Sequence, residues 1–444
     1  MNPSKIFSTL TAIVIGTAIL FAALLCPQAG ALVVDKTLAP NTRFFIPPPD
    51  QGAVAQATSL IKSGQLKNAL LIAAMEVAPR AVWITGGTPA QVRTSVKKTL
   101  SQAQAQRAVP VLVLYNIPNR DCGSYSAGGA QDTATYEAWI DAVAGAIGER
   151  KVVIALEPDG LALLPTDCGY TAQNTADRYT QINYAVTKLE ANPATIVYLD
   201  AGHSAWHAVG DMAARLVQGG LLQTQGFYSN PSNYRATDYE TKFDTWISKC
   251  IAFANDPEEG GWRLGHYDWC ASQYYSPFGP VDPGNIATWG STDQWYDANM
   301  GTAVPTTHFL IDTSRNGQGP FSAAPYAAAP YNQPSWVLTT LNNGSWCNPL
   351  ARGLGLRATA NTAVPLLDAY VWIKVPGESD GSCNAQGGVR AWDYGAYTQA
   401  GWPTDLAGQA LFDPLWGLVD PAAGEWFPQQ ALDLAQRANP ALLP

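Results

Sequence analysis

VPVLVLYNI (residues 109–117) decides the reading of the fold. Its apolar residues follow one another instead of alternating with polar ones, as expected for a strand covered on both faces. VVIAL (152–156) and TIVYL (195–199) repeat the pattern, and Ala81–Thr85, Gly226–Tyr228, His308–Ile311 and Tyr370–Val375 extend the series. Pro89–Gln106, Thr133–Ile147 and Thr175–Glu190 lie between these runs with helix-like spacing, and Pro428–Arg437 reads as a closing amphipathic helix. Buried strands alternating with helices predict an α/β chain of parallel βα units. Seven or eight units make a closed or nearly closed TIM-like barrel, with a doubly wound sheet as the alternative. The Gly-, Pro-, Asp- and Trp-rich stretch Asp256–Val304 breaks the rhythm and reads as a long insertion over one rim. No Ser/Thr/Pro linker divides the chain, so one domain is expected.

Composition narrows the ligand class. Of the 444 residues, 47% are hydrophobic and only 14% charged, against roughly 25% charged in typical soluble domains. The net charge of -9 and the lack of a Lys/Arg-rich run argue against nucleic acid and anionic membranes as partners. Fifteen Trp beside few charges suit a neutral ligand with apolar faces and many hydroxyls. At the N-terminus, Lys5 is the one charge before Asp35, an apolar stretch covers Ile6–Leu25, and Ala29-Gly30-Ala31 supplies a cleavage site. Residues 1–31 therefore read as a secretory signal of an exported chain, the alternative being an uncleaved membrane anchor. Cys26 leaves with the signal. Cys122, Cys168, Cys250, Cys270, Cys347 and Cys383 remain, an even set that suggests disulfides. Pairing sequence neighbours is the simplest scheme, although sequence alone leaves the pairing open. No C-x-x-C pair supports zinc.

Carboxylates gather where the strands should end. Asp121 follows the 109–117 run, Glu157 and Asp159 follow 152–156, Asp200 follows 195–199, and Asp312 follows 308–311. Lys374, Glu378 and Asp380 follow the last strand. In a parallel barrel these ends form one rim, where active sites lie. Crowded acids repel one another, so at least one stays protonated near neutral pH and can act as a general acid. Taken singly they have structural readings: Pro158-Asp159-Gly160 makes a good turn, and Asp200 and Asp312 could cap helices. Trp83, Trp206, Trp346 and Trp372 stand at or beside strand ends, placed to stack on sugar rings. His203 and His207 are four apart, but Ser204 replaces the Glu of a metalloprotease helix, so no metal site is expected. Phosphate-loop spacing and a G-x-S-x-G elbow are both missing.

Together, Tyr115-Asn116-Ile117-Pro118-Asn119-Arg120-Asp121-Cys122, Leu156-Glu157-Pro158-Asp159-Gly160-Leu161, Leu199-Asp200-Ala201-Gly202-His203-Ser204-Ala205-Trp206, Trp346-Cys347-Asn348 and Lys374-Val375-Pro376-Gly377-Glu378-Ser379-Asp380-Gly381 resemble glycoside hydrolase family 6, the inverting β-1,4-glucanases that cleave cellulose. The resemblance implies a distorted (β/α) barrel over residues 32–444 and no metal or organic cofactor. It makes Asp159 the general acid, Asp121 its assistant, Asp380 the base candidate acting through water, and Tyr115 the residue that crowds the sugar ring. Trp83, Asp200, His203, Trp206, Asn233, Trp346, Lys374 and Glu378 match sugar-binding positions. The family's two disulfides correspond to Cys122–Cys168 and Cys347–Cys383, leaving Cys250–Cys270 as an extra pair. Ala127 departs from the pattern, since many members carry a Ser there that helps hold a water.

An inverting pair needs room for a water, with carboxyl groups about 6.5–9.5 Å apart. In this family, chain-end-acting enzymes lengthen two loops into a tunnel. Here Asp121 to Asp159 covers 38 positions and Cys347 to Cys383 covers 36, both short, which favours an open cleft and internal cleavage. The expectation is thus a secreted, monomeric endoglucanase acting on β-1,4-glucan (cellulose or cello-oligosaccharides), without membrane attachment after signal cleavage. The alternatives are an exo-acting cellobiohydrolase and a catalytically silent β-glucan-binding protein.

Overall fold

The computed structural model describes residues 36–258 and 261–443, so the signal segment and Cys26 lie outside the described residues. The chain runs α1 (Gln51–Lys62), α2 (Leu66–Glu76), β1 (Val82–Ile84), α3 (Pro89–Ala105), β2 (Val111–Leu114), α4 (Thr133–Ile147), β3 (Val152–Leu156), α5 (Ala172–Glu190) and β4 (Thr195–Asp200). It continues α6 (Val209–Gln218), β5 (Gly226–Ser229), α7 (Thr237–Asn255), α8 (Gly290–Asn299), β6 (His308–Asp312), α9 (Ser335–Asn343), β7 (Leu367–Val371), α10 (Leu406–Leu411) and α11 (Pro428–Gln436). The strands pair in parallel in the order β1 to β7. Between β7 and β1 the contact is slight: Ala81 N–H donates to Trp372 C=O at 2.8 Å and the Trp83 indole to Ile373 C=O at 2.8 Å. The sheet is accordingly a seven-stranded distorted barrel with a seam, and the doubly wound alternative is set aside.

Side-chain alternation explains the continuous apolar runs. Leu112, Leu114, Ile154, Leu156, Val197 and Leu199 point outward into a core shared with the helices. Val111, Val113, Val153, Ala155, Ile196 and Tyr198 point inward and fill the barrel. Helix starts follow local chemistry. Thr88 and Gln91 form a capping box before Pro89 of α3, Asp132 accepts from Thr135 N–H at the head of α4, and Thr171 with Asn174 caps α5.

Two sequence expectations shift, and one long helix is unanticipated. The last strand pairs at Leu367–Val371, earlier than Tyr370–Val375; its seam-side position leaves it half-covered, so it alternates and escapes a search for unbroken apolar runs. Helix α7 carries Glu240, Asp244 and Ser248 on its buried side beside Phe243, Trp246 and Ile247, which blurs its apolar stripe. Much of the Asp256–Val304 insertion buttresses the barrel's flank, while Gln273 and Pro283 meet the rim loops that follow β4 and β5. Trp289, Trp295 and Tyr296 bury in the outer core, Trp246 lies 5.1 Å from Trp289, and the Trp246 indole donates to Asp293 at 2.8 Å. The insertion also lies tight on α6, where a Cβ at Gly210 would come within 2.1 Å of Tyr267 O.

All three neighbour disulfides are formed: Cys122–Cys168, Cys250–Cys270 and Cys347–Cys383. Cys250–Cys270 joins α7 to the insertion across 20 positions. A loop of that size constrains the unfolded chain by about 3 kcal/mol. Cys250→Ala/Cys270→Ala should therefore lower the unfolding free energy by about 3 kcal/mol in denaturant titration. A loss below about 1 kcal/mol would contradict the bridging role given to this pair.

Candidate active site

Three buried carboxylates at strand ends hold the rim loops by their backbone N–H groups. Glu157, just after β3, accepts from Asn116 N–H at 2.9 Å and Ile117 N–H at 3.0 Å, tying the β2 loop to the β3 loop. Asp200 at the end of β4 accepts from Asp159 N–H at 3.0 Å and Gly202 N–H at 3.2 Å. Asp312 at the end of β6 accepts from Ser232, Ser314 and Lys374 N–H groups at 3.2, 2.8 and 3.0 Å, joining the loops that follow β5 and β7. The capping reading of Asp200 and Asp312 is close to this outcome, though they clamp loops and not helix ends. Asn119, Asp121, Cys122, Glu157 and Asp159 all have positive φ, between 46° and 64°. Such backbone is costly for residues with a side chain and persists where surrounding bonds over-determine it.

The loops enclose a cavity of about 750 Å³ at the C-terminal mouth of the sheet. Its wall includes Trp83, Tyr115, Asp121, Asp159, His203, Trp206, Asn233, Trp346, Lys374, Glu378 and Asp380. Asp200 is the exception among the expected residues, lying behind Asp159 and 1% exposed. Trp372 is also no sugar platform: it is 1% exposed, packs among α1, α2 and α11 residues, and donates to Leu356 C=O at 2.8 Å. None of the described residues of 256–304 is on this wall.

Asp159 and Asp380 have opposite surroundings. Burial, then the neighbouring charge of Asp121, pushes the Asp159 carboxyl up to about 7 against the pull of the Tyr115 hydroxyl and Arg178. Tyr115 O–H donates to Asp159 at 3.4 Å. Burial also raises Asp121, which accepts from Ser126 N–H at 2.7 Å. At Asp380 burial pushes upward too, but Arg315 and Lys374 outweigh it and the net shift is downward. Asp380 accepts from Arg315 at 2.9 Å, Tyr234 O–H at 3.0 Å and Asn348 N–H at 3.0 Å, and Lys374 Nζ stands 3.8 Å from its other oxygen. One acid is thus held protonated near neutral pH while another is held ionised, the combination that general acid and base catalysis requires.

Aromatic and neutral groups complete the wall. Tyr115 is held edge-on to Trp83 at 5.4 Å, with the Arg120 guanidinium 4.6 Å above its ring. Burial drives His203 down to about 3, so its ring is neutral and can serve as a polar contact. His207 is bound to Ala162 O at 2.6 Å and stacks on Trp206 at 5.3 Å. Arg120, Arg315, Tyr234 and Asn348 were given no role from sequence. Arg315 had a signal, standing three residues beyond the end of β6 as Asp312 does at it; Tyr234 and Asn348 act through contacts between distant loops that spacing does not reveal.

Comparison with known proteins agrees over nearly the whole described chain. A family model described as Glycosyl hydrolases family 6 matches residues 39–438. Endoglucanase 1 of Streptomyces sp. (strain KSM-9) is 34% identical over 306 residues, covering 68% of this chain and 64% of the relative. Endoglucanase A of Cellulomonas fimi is 30% identical over 401 residues, 90% of this chain and 62% of the relative. The chain therefore spans less than two thirds of the length of either endoglucanase. Among solved structures, the endoglucanase of Mycobacterium tuberculosis, in complex with methyl-cellobiosyl-4-deoxy-4-thio-β-D-cellobioside, is 31% identical. It aligns over 91% of this chain and 100% of that chain with a TM-score of 0.60. With the family model covering the barrel and every rim loop described above, the chain belongs to glycosyl hydrolases family 6.

Proposed function

We propose that residues 32–444 form the catalytic domain of an inverting β-1,4-glucanase that cuts internal bonds, exported after removal of residues 1–31. The observation that carries this reading is the pairing of a raised Asp159 with an ionised Asp380 on one cavity wall. The endoglucanase names of its relatives and the cello-oligosaccharide analogue in the neighbouring structure support the substrate class. The short 121–159 and 347–383 segments favour an open cleft and so support internal cleavage. No helix among the described residues is long and apolar enough to cross a membrane.

In this reading, glucose rings lie along Trp83, Trp206 and Trp346, with Lys374, Glu378, His203 and Asn233 bonding hydroxyls. Tyr115, fixed by Trp83 and Arg120, crowds one ring toward the flattened geometry of the transition state. Asp159 gives its proton to the glycosidic oxygen as the bond to the anomeric carbon breaks. Asp121 keeps that proton on Asp159 beforehand and stabilises the positive charge that develops afterwards. A water attacks the anomeric carbon from the opposite face, and its proton passes through further water to Asp380.

Two predictions follow from the unlike environments of the acids. Asp159→Asn should lower kcat on unactivated cello-oligosaccharides by about 10²–10⁴. The wild-type rate should fall with an alkaline limb near pH 7, the value of Asp159, and an acid limb below 3.8 set by the lowered Asp380. An enzyme fully active at pH 9 on these substrates would remove Asp159 from the acid's role.

Stability separates the same two residues. Because the folded value of Asp159 exceeds 3.8, its contribution is present below that pH and lost as pH rises through 7. Asp159→Asn should accordingly raise Tm over the wild type at pH 8 and lose that advantage at pH 4. Asp380 has the opposite sign, and Asp380→Asn leaves the fully buried Arg315 charge without its partner. That change should cost about 3–5 kcal/mol at pH 7. Similar Tm shifts for both variants at pH 8 would contradict the assigned charges.

A further inference from the structure

Five of the seven exposed aromatic side chains among the described residues fall within positions 262–278 of the insertion. Tyr274, Tyr275 and Phe278, at 42%, 67% and 49% exposure, occupy one turn. Rings left this open on a single segment mark a contact surface. The turn is held rigid. Ser272 N–H donates to Tyr275 O at 2.8 Å, and Ser272 Oγ accepts from Tyr274 and Tyr275 N–H groups at 3.2 and 3.3 Å. Thr292 Oγ1 ties the same residue to α8 through Ser272 O at 2.9 Å, and Cys270 is locked to α7 two positions upstream. A pre-ordered aromatic tip loses little freedom on binding.

The turn is also joined to the cavity wall. Fully buried Gln273 donates from Nε2 to Ser204 O at 2.7 Å and His207 O at 2.8 Å. Those carbonyls belong to the loop whose His203, Ala205 and Trp206 wall the cavity. Arg235 binds the loop from the other side, through Ser204 Oγ at 3.2 Å, and reaches Pro283 O of the insertion at 3.4 Å. The turn that carries the exposed rings is therefore anchored to the same loop that places Trp206 on the cavity wall.

We propose that Tyr274, Tyr275 and Phe278 form an aromatic extension of the cleft that holds the part of a long β-1,4-glucan projecting beyond Trp206. This rests on the glucanase reading above and adds a preference for polymer over short oligosaccharide. Pyranose faces carry C–H groups that lie flat on aromatic rings, and a tyrosine hydroxyl at the ring edge can meet sugar hydroxyls.

The test compares kcat/KM on hydroxyethylcellulose with kcat/KM on cellotetraose. In Tyr274→Ala/Tyr275→Ala the polymer-to-oligosaccharide ratio should fall about threefold to tenfold, the range expected for one lost ring contact. Phe278→Ala, made separately, should shift it in the same direction, and Tyr274→Phe/Tyr275→Phe should restore it to within about twofold. An unchanged ratio overturns the proposal, as does an equal loss on both substrates. Concentration-dependent self-association abolished by the alanine pair, with the ratio intact, assigns the surface to a second copy and also overturns it. If the wild-type chain cleaves neither substrate, the glucanase reading itself fails. Retardation in gels containing hydroxyethylcellulose then decides the extension: loss in the alanine pair upholds it, and equal retardation overturns it.

Discussion

Buried carboxylates that accept backbone N–H bonds across strand ends are the constraint on which the rest of this molecule depends. Glu157, Asp200 and Asp312 sit at 0%, 1% and 1% exposure, each joining a loop to its neighbour. Burying a carboxylate is costly unless hydrogen bonds surround it, so each clamp specifies its partners narrowly. The Asp159 backbone is fixed through Asp200, the Tyr115–Asp121 loop through Glu157, and Lys374 through Asp312. Positive φ at Asp121, Cys122 and Asp159 is the conformational cost of these bonds, and it aims the side chains into the cavity.

A second layer of charge then divides the acids. Asp380 is met by Arg315, Lys374, Tyr234 and Asn348, so its negative charge is fully compensated. Asp159 is buried beside Asp121, and the Tyr115 hydroxyl and Arg178 offset this only in part, so its charge is penalised. One rim thereby supports two protonation states at the same pH, without any change in residue type. It does so at a cost to folding, since an ionised Asp159 opposes the native state.

Much of this was legible in the residues. The runs at 109–117, 152–156 and 195–199 identify buried parallel strands because both faces of each strand meet apolar layers. Carboxylates in the following turns locate the rim, and the expected cavity residues other than Asp200 and Trp372 are on its wall. What stayed hidden is what depends on long-range packing. Asp200 looks like a substrate contact from its place beside Gly202 and His203, yet its bond to Asp159 N–H makes it a support. Trp372 stands beside a strand end but faces the helical layer. Arg315 and Tyr234 meet Asp380 from 65 and 146 positions away, beyond any local pattern. Helix α7 is masked by Glu240 and Asp244, whose partners Ser204 and Ser229 lie on other elements. The insertion's Trp residues suggested a decorated rim, whereas most of their area fills the flank beside α7.

The central claim is that Asp159 and Asp380 work on opposite faces of one glycosidic bond, with water as nucleophile. Proton NMR of cellohexaose during the first minutes of digestion tests it most directly. Newly released reducing ends should carry the α-anomer signal, in fragments that include internal cuts. Initial release of the β-anomer would mean retention of configuration and contradict the roles given to both carboxylates.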